Sequence, residues 1–192
     1  VPGTFQHSMQ VANLAAEAAI RVGAKSQLVR TGALYHDIGK MENPAFFTEN
    51  QSGGVNPHKN LSYEQSAQVV ISHVTDGLKL ADKHNLPKAV KDFISTHHGR
   101  GKTKYFYISW KNEHPDEEPN EELFTYPGPN PFTKEQAILM MAEIDLLDQL
   151  PWMLSQLREA FARYDMAFWE MMLFSGLVCF VRMVSAIACI YA

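Results

Sequence analysis

Histidine recurs on the apolar faces of four successive helical segments, and this pattern limits the possible folds more than any other feature of the sequence. His7, His36, His73 and His97 each stand at helical spacing from valine, isoleucine or alanine. A lone histidine on such a face is usually a core residue with a hydrogen-bond partner. Four in register indicate a shared purpose, because each unpaired polar group buried in a core costs on the order of 1–3 kcal/mol. The pattern predicts an all-α fold, a helical bundle around a buried histidine cluster.

The predicted helices have a 3.6-residue apolar period and recognisable start or stop signals. The first two predicted helices cover residues 4–22 and 26–35. A third begins at the capping box of Ser62 and Gln65, and a fourth begins near Pro87. The last is an apolar, central helix over 137–147, which follows a second capping box at Thr133 and Gln136. Residues 41–60 are rich in Asn, Pro and Gly and predict a loop. Residues 105–108 predict a short strand or hairpin arm, and residues 111–131, with six acids and five prolines, predict an exposed excursion.

Asp37 and His98 complete a set of candidate metal ligands. Asp37 stands next to His36 at a helix end, and His98 stands next to His97. Imidazole with carboxylate, and without thiolate, suits Fe, Mn, Zn or Co rather than a closed structural zinc site. A carboxylate can also bridge two ions, which lie about 3.5–4 Å apart in two-metal hydrolases. We therefore predict a dinuclear metal site, with Asp37 as a catalytic residue and bridging ligand.

Further side chains are candidates for substrate binding. Lys40 is either a phosphate-binding, catalytic cation beside the cavity or a solvated lysine at a helix end. Arg100 is a candidate for binding a second phosphate. Tyr105 either stacks on a base or packs in the core, and His58 either lines the mouth of the site or is a surface residue. The sequence leaves these alternatives open.

Charge and cysteine content limit the class of partner and the compartment. The net charge of −4 gives no sign of a surface for nucleic acid, although metal ions can supply positive charge for a small nucleotide. Cys179 and Cys189 form neither a zinc motif nor a disulfide framework, which predicts a reducing, cytoplasmic environment. Because the chain begins at Val1 and not at Met, we expect a piece of a longer protein.

The last part of the chain is strongly apolar from residue 166 onward. A transmembrane helix needs about 20 apolar residues in a row. The longest run without charge, residues 171–181, is too short for that. We predict one domain over residues 1–150 and an apolar helical segment over residues 151–192 that packs on this domain or on a partner.

Several longer strings resemble one subfamily of the HD-domain phosphohydrolases. His7, the pair of His36 and Asp37, and a later acid follow the H…HD…D pattern of that superfamily. The more specific strings are GTFQHS at 3–8, YHDIGK at 35–40, ISHVTDG at 71–77, HHG at 97–99, KYFY at 104–107, YPGP at 126–129 and AILMMA at 137–142. They resemble the cytoplasmic HD domain of bacterial seven-transmembrane HD proteins, the PgpH-type cyclic di-AMP phosphodiesterases, over about residues 1–142.

This resemblance implies a dinuclear iron or manganese centre that hydrolyses cyclic di-AMP to linear 5′-pApA. By the resemblance, one ion is held by His7, His36, Asp37 and the later acid, and a second ion by Asp37 as a bridge together with His73, His97 and His98. The implied partners are the cyclic dinucleotide and the membrane domain of the same full-length protein. The resemblance leaves open whether the domain forms a homo-oligomer.

The sequence departs from the subfamily after residue 142, where the family has an aspartate as metal ligand. An ungapped match places Glu143 there, whereas a shift of two residues places Asp145 there. Both cannot face one ion, since residues two apart lie about 200° apart around a helix. We predict Glu143, because Leu139 stands one turn earlier on an uninterrupted match, with Asp145 as the alternative. Arg100 stands where the family usually has threonine.

Two other functions stay open at this point. An HD-domain enzyme for another nucleotide, such as a dNTP, a nucleoside monophosphate or ppGpp, would use similar chemistry and could need a single ion. A catalytically decayed sensor of metal or nucleotide would account for the altered region around Glu143. The number of bound ions and the turnover of a cyclic dinucleotide separate the three hypotheses.

Overall fold

The computed structural model describes residues 1–51 and 56–143, and this part of the chain consists of α-helices and short 3-10 turns. The helices are α1 (Pro2–Arg21), α2 (Ser26–Tyr35), α3 (Tyr63–Lys83), α4 (Lys88–Thr96), α5 (Lys104–Glu113) and α6 (Lys134–Glu143). An isolated bridge between Lys102 and Thr125 is the only extended pairing among the described residues. The predicted all-α fold is confirmed. Asp145 and the segment 151–192 lie outside the described residues, so the expectations about them stay predictions.

The last described helix, α6, is central. It packs against α1, α2 and α4, and residues 136–140 are buried in succession. A helix that is buried on nearly every side needs apolar residues around its whole circumference, as the sequence predicted for this segment. The core joins Ala12 of α1, Ala33 of α2, Phe93 of α4 and Leu139 of α6. None of the α-helices within the described residues is long and apolar enough to cross a membrane.

The helix starts agree with the sequence in part. At the start of α3, Ser62 Oγ accepts from the Gln65 backbone N–H at 3.2 Å, and Gln65 Oε1 accepts from the Ser62 N–H at 3.0 Å. The second capping box is formed on one side only: Thr133 Oγ1 accepts from the Gln136 N–H at 3.3 Å, while the Gln136 side chain binds a different backbone N–H. Pro87 is the N-cap of α4 and precedes its first turn.

The buried face of α1 is rotated relative to the sequence prediction. Ala12, Ala15 and Ala19 are fully buried, whereas Leu14, which the 3.6-residue apolar period over residues 4–22 predicts on the buried face, is 47% exposed. Small side chains let α1 approach α2 closely, and the larger leucine is left outside that contact. His7 consequently lies at the edge of the buried face, with 36% of its side chain exposed.

A 3-10 turn at Ile38–Met41 joins α2 to the loop before α3 and lies directly on the α3 backbone. A Cβ on Gly39 would overlap the carbonyl of His73 and the backbone nitrogen of Gly77. Only glycine permits this approach. The contact fixes the distance between the residues that flank Gly39 and the middle of α3.

The strand predicted at residues 105–108 is wrong, since these residues belong to α5. Phe106, Tyr107 and Trp110 stand at helical spacing and pack on Ala67 of α3. The β-propensity of consecutive aromatic residues is a weak preference that side-chain packing overrides.

The exposed excursion predicted at 111–131 is also partly wrong. Residues 111–113 complete α5, and a 3-10 turn at Glu121–Phe124 returns the chain to the core. Phe124 is fully buried against α3 and α5, and Tyr126 is 7% exposed. The acids and prolines of this segment therefore flank two aromatic anchors.

Candidate metal centre

The predicted ligands that lie within the described residues come together from different helices. His36 and His97 occupy the positions directly after the last residues of α2 and α4, and Asp37 and His98 follow them. The remaining ligands are His7 in α1, His73 in α3 and Glu143 at the end of α6. Since α6 is central and packs on both α1 and α2, its end brings Glu143 to the same place as His7 and His36.

Three of the histidines share one hydrogen-bond arrangement. The Nδ1–H groups of His36 and His73 each donate to the carbonyl three residues earlier, that of Ala33 and that of Val70, at 2.6 Å. His97 makes the same bond at 2.8 Å. A carbonyl can only accept, so these bonds place a proton on Nδ1 and direct Nε2 toward the centre. This is the arrangement that imidazole ligands of metals usually have.

The ligand atoms form two groups. The first group is His7, His36, Asp37 and Glu143, and the second group is His73, His97 and His98; within each group the ligand atoms lie within 4.8 Å of one another. Asp37 lies between the groups. Its Oδ2 is 3.1 Å from His36 Nε2, and its Oδ1 is 3.4 Å from His73 Nε2 and 3.7 Å from His97 Nε2. One carboxylate thus presents one oxygen to each group.

Three buried atoms of the centre have no hydrogen-bond partner in the part of the chain that the structure describes: His36 Nε2, Asp37 Oδ1 and Glu143 Oε1. Burial of such groups without compensation is unfavourable, and a bound cation removes the cost. His36 Nε2 lies 3.0 Å from Glu143 Oε1, and His73 Nε2 lies 3.0 Å from His97 Nε2. Two ligands that are each about 2.1 Å from a metal and about 90° apart are separated by about 3.0 Å. The donor set and its spacing fit a divalent metal in each group.

In the absence of a cation, the first group holds protons. Burial, the largest effect, lowers the pKa of His36, but the carboxylates of Asp37 and Glu143 together raise this pKa well above the usual value. The pKa of His7 is also raised, mainly by its hydrogen bond to Glu143. A metal that binds in the first group has to displace these protons.

The second group is neutral by contrast. Burial lowers the pKa of His97 to about 3, with a further contribution from repulsion by His36 and His73. Burial likewise lowers the pKa of His73, and it holds the pKa of His98 well below the usual value. Neutral imidazoles bind a metal without first releasing a proton.

Lys40 lies at the centre, with 13% of its side chain exposed. Its Nζ is 2.6 Å from Asp37 Oδ2 in an ion pair and donates a hydrogen bond of 2.9 Å to Glu49 Oε1. Burial opposes the charge on Lys40, but these two carboxylates raise its pKa. The structure therefore places Lys40 beside the predicted bridging ligand and not in solvent.

Arg100 and Tyr105 lie at the surface. Arg100 is exposed, its backbone N–H donates to Asn130 Oδ1 at 2.9 Å, and its guanidinium has no acidic partner within residues 1–51 and 56–143. Tyr105, in the first turn of α5, is 73% exposed. The structure thus does not place Tyr105 in the core, which was the alternative interpretation.

A groove of about 940 Å³ separates the loop before α3 from α5. Tyr105 and Trp110 form part of one wall, and Phe47 and His58 form part of the other. The Phe47 ring also contacts the His73 ring, with 5.7 Å between the centroids, so the groove begins next to the second group. His58 is half-buried, and its Nε2–H donates to the Phe46 carbonyl at 2.9 Å.

Tyr126, Phe47 and Glu49 contact the centre and were not assigned roles from the sequence. The Tyr126 ring stacks on His98, with 4.1 Å between centroids and 22° between the planes. The YPGP string at 126–129 carried a signal, since it matched the subfamily, but nothing in it indicated a contact with His98. Phe47 and Glu49 lie in the predicted loop, where the residue pattern gives no information about direction.

The sequence matches the HD domain family over residues 4–144, about three quarters of the chain. The chain belongs to the HD domain family. HD domains bind divalent metals, and the two groups of side chains described above are a cluster that could hold them. The family resemblance predicted from the H…HD…D pattern is thereby confirmed.

This HD domain is similar to that of PgpH. It is 45% identical over 142 residues to the cyclic-di-AMP phosphodiesterase PgpH of Listeria monocytogenes, which corresponds to 74% of this chain and 20% of that protein. The identity to PgpH of Bacillus subtilis is 44% over 142 residues, with the same coverage. The chain thus spans about a fifth of the length of these curated relatives. A crystal structure of the L. monocytogenes PgpH HD domain in complex with cyclic-di-AMP matches with a TM-score of 0.70 at 37% identity, over 97% of this chain and 81% of that chain.

Proposed function

We propose that this HD domain uses two divalent transition-metal ions to hydrolyse cyclic di-AMP to 5′-pApA. The observation that carries the proposal is the position of Asp37, whose Oδ2 faces the first group and whose Oδ1 faces the second. A site for one ion would need only the first group. The similarity to PgpH, and to an HD domain crystallised with cyclic-di-AMP, supports this choice of substrate.

The proposed ligands of one ion are His7, His36, Asp37 and Glu143, and those of the other are Asp37, His73, His97 and His98. When bound, two such ions lower the pKa of a water molecule and offset the charge of the phosphodiester. In the hydrolysis, a water oxygen forms a bond to phosphorus and the bond from phosphorus to a ribose 3′-oxygen breaks. That oxygen takes up a proton, and the product is linear 5′-pApA.

Iron or manganese is the proposed metal. The donors are imidazole nitrogens and carboxylate oxygens, and no thiolate lies among the described ligands. Such a mixed set suits redox-active first-row ions as well as zinc, and the open mixture of donors differs from a closed structural zinc site.

The proposed substrate contacts use Lys40, Arg100 and Tyr105. Lys40 places a positive charge beside the ions, where a phosphodiester would lie. Arg100 has no acidic partner in the described part of the chain and follows His98 by two residues, so its guanidinium can bind the second phosphate in a bidentate manner. Tyr105 offers an exposed ring in the groove, and stacking of a base on such a ring contributes about 1–3 kcal/mol.

We also propose that the domain is the cytoplasmic part of a membrane protein. The PgpH relatives are about five times as long as the matching segment, which leaves room for a membrane domain. That domain of the same protein, together with a second copy of this HD domain, would be its partners.

A competition assay tests the proposal. The purified domain, loaded separately with iron(II) and manganese(II), receives equal concentrations of cyclic di-AMP and cyclic di-GMP, and chromatography follows the linear products. We expect pApA to form first, and the Asp37→Ala variant serves as the control for contaminating hydrolases. Equal turnover of both dinucleotides would leave the chemistry intact and refute the substrate. Preferential hydrolysis of dNTPs or ppGpp, or metal binding without turnover of any nucleotide, would refute the proposed function.

A further inference from the structure

Lys40 Nζ lies on the oxygen of Asp37 that faces the first group. The distance from Nζ to Asp37 Oδ2 is 2.6 Å, and the same oxygen is 3.1 Å from His36 Nε2. The lone pairs of Asp37 Oδ2 are the ones that a metal in the first group would use. An ammonium at this distance therefore competes with that metal for the bridging carboxylate.

Glu49 attracts the same ammonium from the opposite side. The hydrogen bond from Lys40 Nζ to Glu49 Oε1 is 2.9 Å, and 25% of the Glu49 side chain is exposed. Asp37 is 1% exposed, so solvent screens these interactions much less than it screens surface ion pairs. The position of Lys40 depends on the balance between the two carboxylates.

The position of Glu49 is fixed by the first turn of α1. The Thr4 N–H donates to Asn50 Oδ1 at 3.0 Å, Asn50 Nδ2 donates to Thr4 Oγ1 at 2.8 Å, and Thr4 Oγ1 donates to Glu49 Oε1 at 3.4 Å. Gly3 has no room for a side chain, because a Cβ there would overlap the Glu49 carbonyl. Glu49 cannot follow Lys40 toward Asp37, since its backbone and its carboxylate are both held.

We propose that Glu49 is a positioning residue that shares the Lys40 ammonium with Asp37, weakens the hold of the ammonium on the bridging carboxylate and so keeps Asp37 available to metal. The Phe47 ring supports this position, since Lys40 Nζ lies 5.0 Å from its centroid. The inference rests on the metal centre of the proposed function and is independent of the substrate. Without Glu49, Asp37 is the one carboxylate left in an ion pair with Lys40 among the described residues, and the ammonium then binds the metal-binding oxygen more strongly.

Metal affinity without substrate tests this role. The affinity is measured by competition with a chromophoric chelator for four proteins: wild type, Glu49→Gln, Lys40→Met and the double variant. We expect Glu49→Gln to weaken binding of the more weakly held ion by about 10-fold, the lower end of what loss of an outer partner costs. Lys40→Met should bind at least as tightly as wild type, and the double variant should agree with Lys40→Met within about twofold.

Two controls separate positioning from other effects. Glu42→Gln removes the same charge from the neighbouring turn and should keep wild-type affinity. Thr4→Val removes the hydroxyl that donates to Glu49 and keeps the negative charge of Glu49. This variant should weaken metal binding, as Glu49→Gln does. In turnover, Glu49→Gln should lower kcat at limiting metal and recover when metal is added in excess.

The proposal is overturned if Glu49→Gln binds metal as wild type does, if the double variant stays as weak as Glu49→Gln, or if Glu42→Gln loses as much affinity. A wild-type protein that binds no metal would refute the metal centre itself. Metal binding with the expected pattern, but without hydrolysis of cyclic di-AMP, would refute the substrate and leave the role of Glu49 intact.

Discussion

Two histidine side chains of the centre are oriented by the ends of the helices that precede them. His36 and His97 stand directly after α2 and α4, where the carbonyls of the last turn have no partner within the helix. Each imidazole satisfies one of these carbonyls through Nδ1–H and thereby turns Nε2 inward. The same bond orients the ligand and completes the helix terminus, so orientation of the ligand requires no additional residue.

Asp37→Ala should remove metal and activity together. Both oxygens of Asp37 face ligand groups, so the variant should retain at most one ion and lose more than about 100-fold in kcat/KM, the upper end of losses caused by residues that only support a ligand. Elemental analysis and turnover of cyclic di-AMP measure the two effects. Asp82→Ala, which removes a surface carboxylate paired with Lys91, should keep both ions. An active Asp37→Ala enzyme would contradict the bridging role.

Acidification should remove the ion of the first group before that of the second. The pKa of His36 is raised, so protons compete with metal there as soon as the pH falls through this raised value. The pKa of His97 is lowered to about 3, so the second group stays neutral over the same range. Elemental analysis after dialysis between pH 7.5 and 5 should therefore show two ions, then one.

Variants assign the two steps of that titration. His7→Ala keeps the second group intact, and the ion of the second group should stay bound at low pH. His98→Ala keeps the first group intact, and the ion of the first group should be lost at a higher pH than the ion that His7→Ala retains. The reverse order would show that the pKa shifts do not determine affinity.

The helices of the centre are held together by backbone contacts as well as by side chains. Gly39 lies on the carbonyl of His73 and the backbone nitrogen of Gly77, so the turn after Asp37 is in direct contact with α3. This contact sets the separation between Asp37 and His73, and with it the distance between the two groups.

Gly39→Ala should therefore disrupt both stability and metal binding. The added Cβ overlaps backbone atoms that cannot move alone, and we expect a loss of at least about 3 kcal/mol in the free energy of unfolding, the upper end for overpacking. Gly23→Ala is the control, since Gly23 has a φ of +66° and open space around its Cβ position. It should cost about 1 kcal/mol through backbone conformation and leave both ions bound. Urea unfolding measures the stability of both variants, and elemental analysis measures their bound metal. Equal losses of stability and of metal in Gly39→Ala and Gly23→Ala would contradict the packing argument.

Patterns of apolar spacing predicted five of the six described α-helices and most of the histidines of the centre, because helix faces and helix ends follow from local sequence. His36, His73 and His97 lie where the 3.6-residue period places them. The helical state of residues 105–108 was missed, because it depends on Phe106 and Trp110 packing on α3 and on no local preference. The position of Glu49 could not be predicted either, since it depends on hydrogen bonds to Thr4, 45 residues earlier in the chain.

In the whole domain, the helices surround a centre in which some of the candidate ligand atoms lack a partner among the described residues or face another lone pair. His73 Nε2 and His97 Nε2 lie 3.0 Å apart, and Asp37 Oδ1 accepts no hydrogen bond from the described residues. An ion that binds the folded state and not the unfolded chain stabilises the fold by mass action. Metal should therefore act as part of the core.

Removal of metal should lower the melting temperature of the domain. At a free metal concentration about 100 times Kd, one ion contributes about 2.7 kcal/mol. For a chain of this size, each kcal/mol corresponds to about 2–4 °C, so a chelator should lower Tm by about 5–10 °C for each such ion. Calorimetry with and without chelator measures the shift, and Asp37→Ala should show a much smaller one. An unchanged Tm in the wild type would mean that the centre is stable without ions.

The contact between His7 and Glu143 determines the order in which the two groups are completed during synthesis. These residues are 136 positions apart, whereas His73 and His97 are 24 apart. At about 5–20 residues per second, His7 leaves the peptidyl-transferase centre roughly 7–27 s before Glu143 is added. The residues of the second group are thus all made before α6, so an ion held there would not depend on Glu143. An ion in the first group would join the beginning of the domain to its end, and this link can form only after Glu143 has been made.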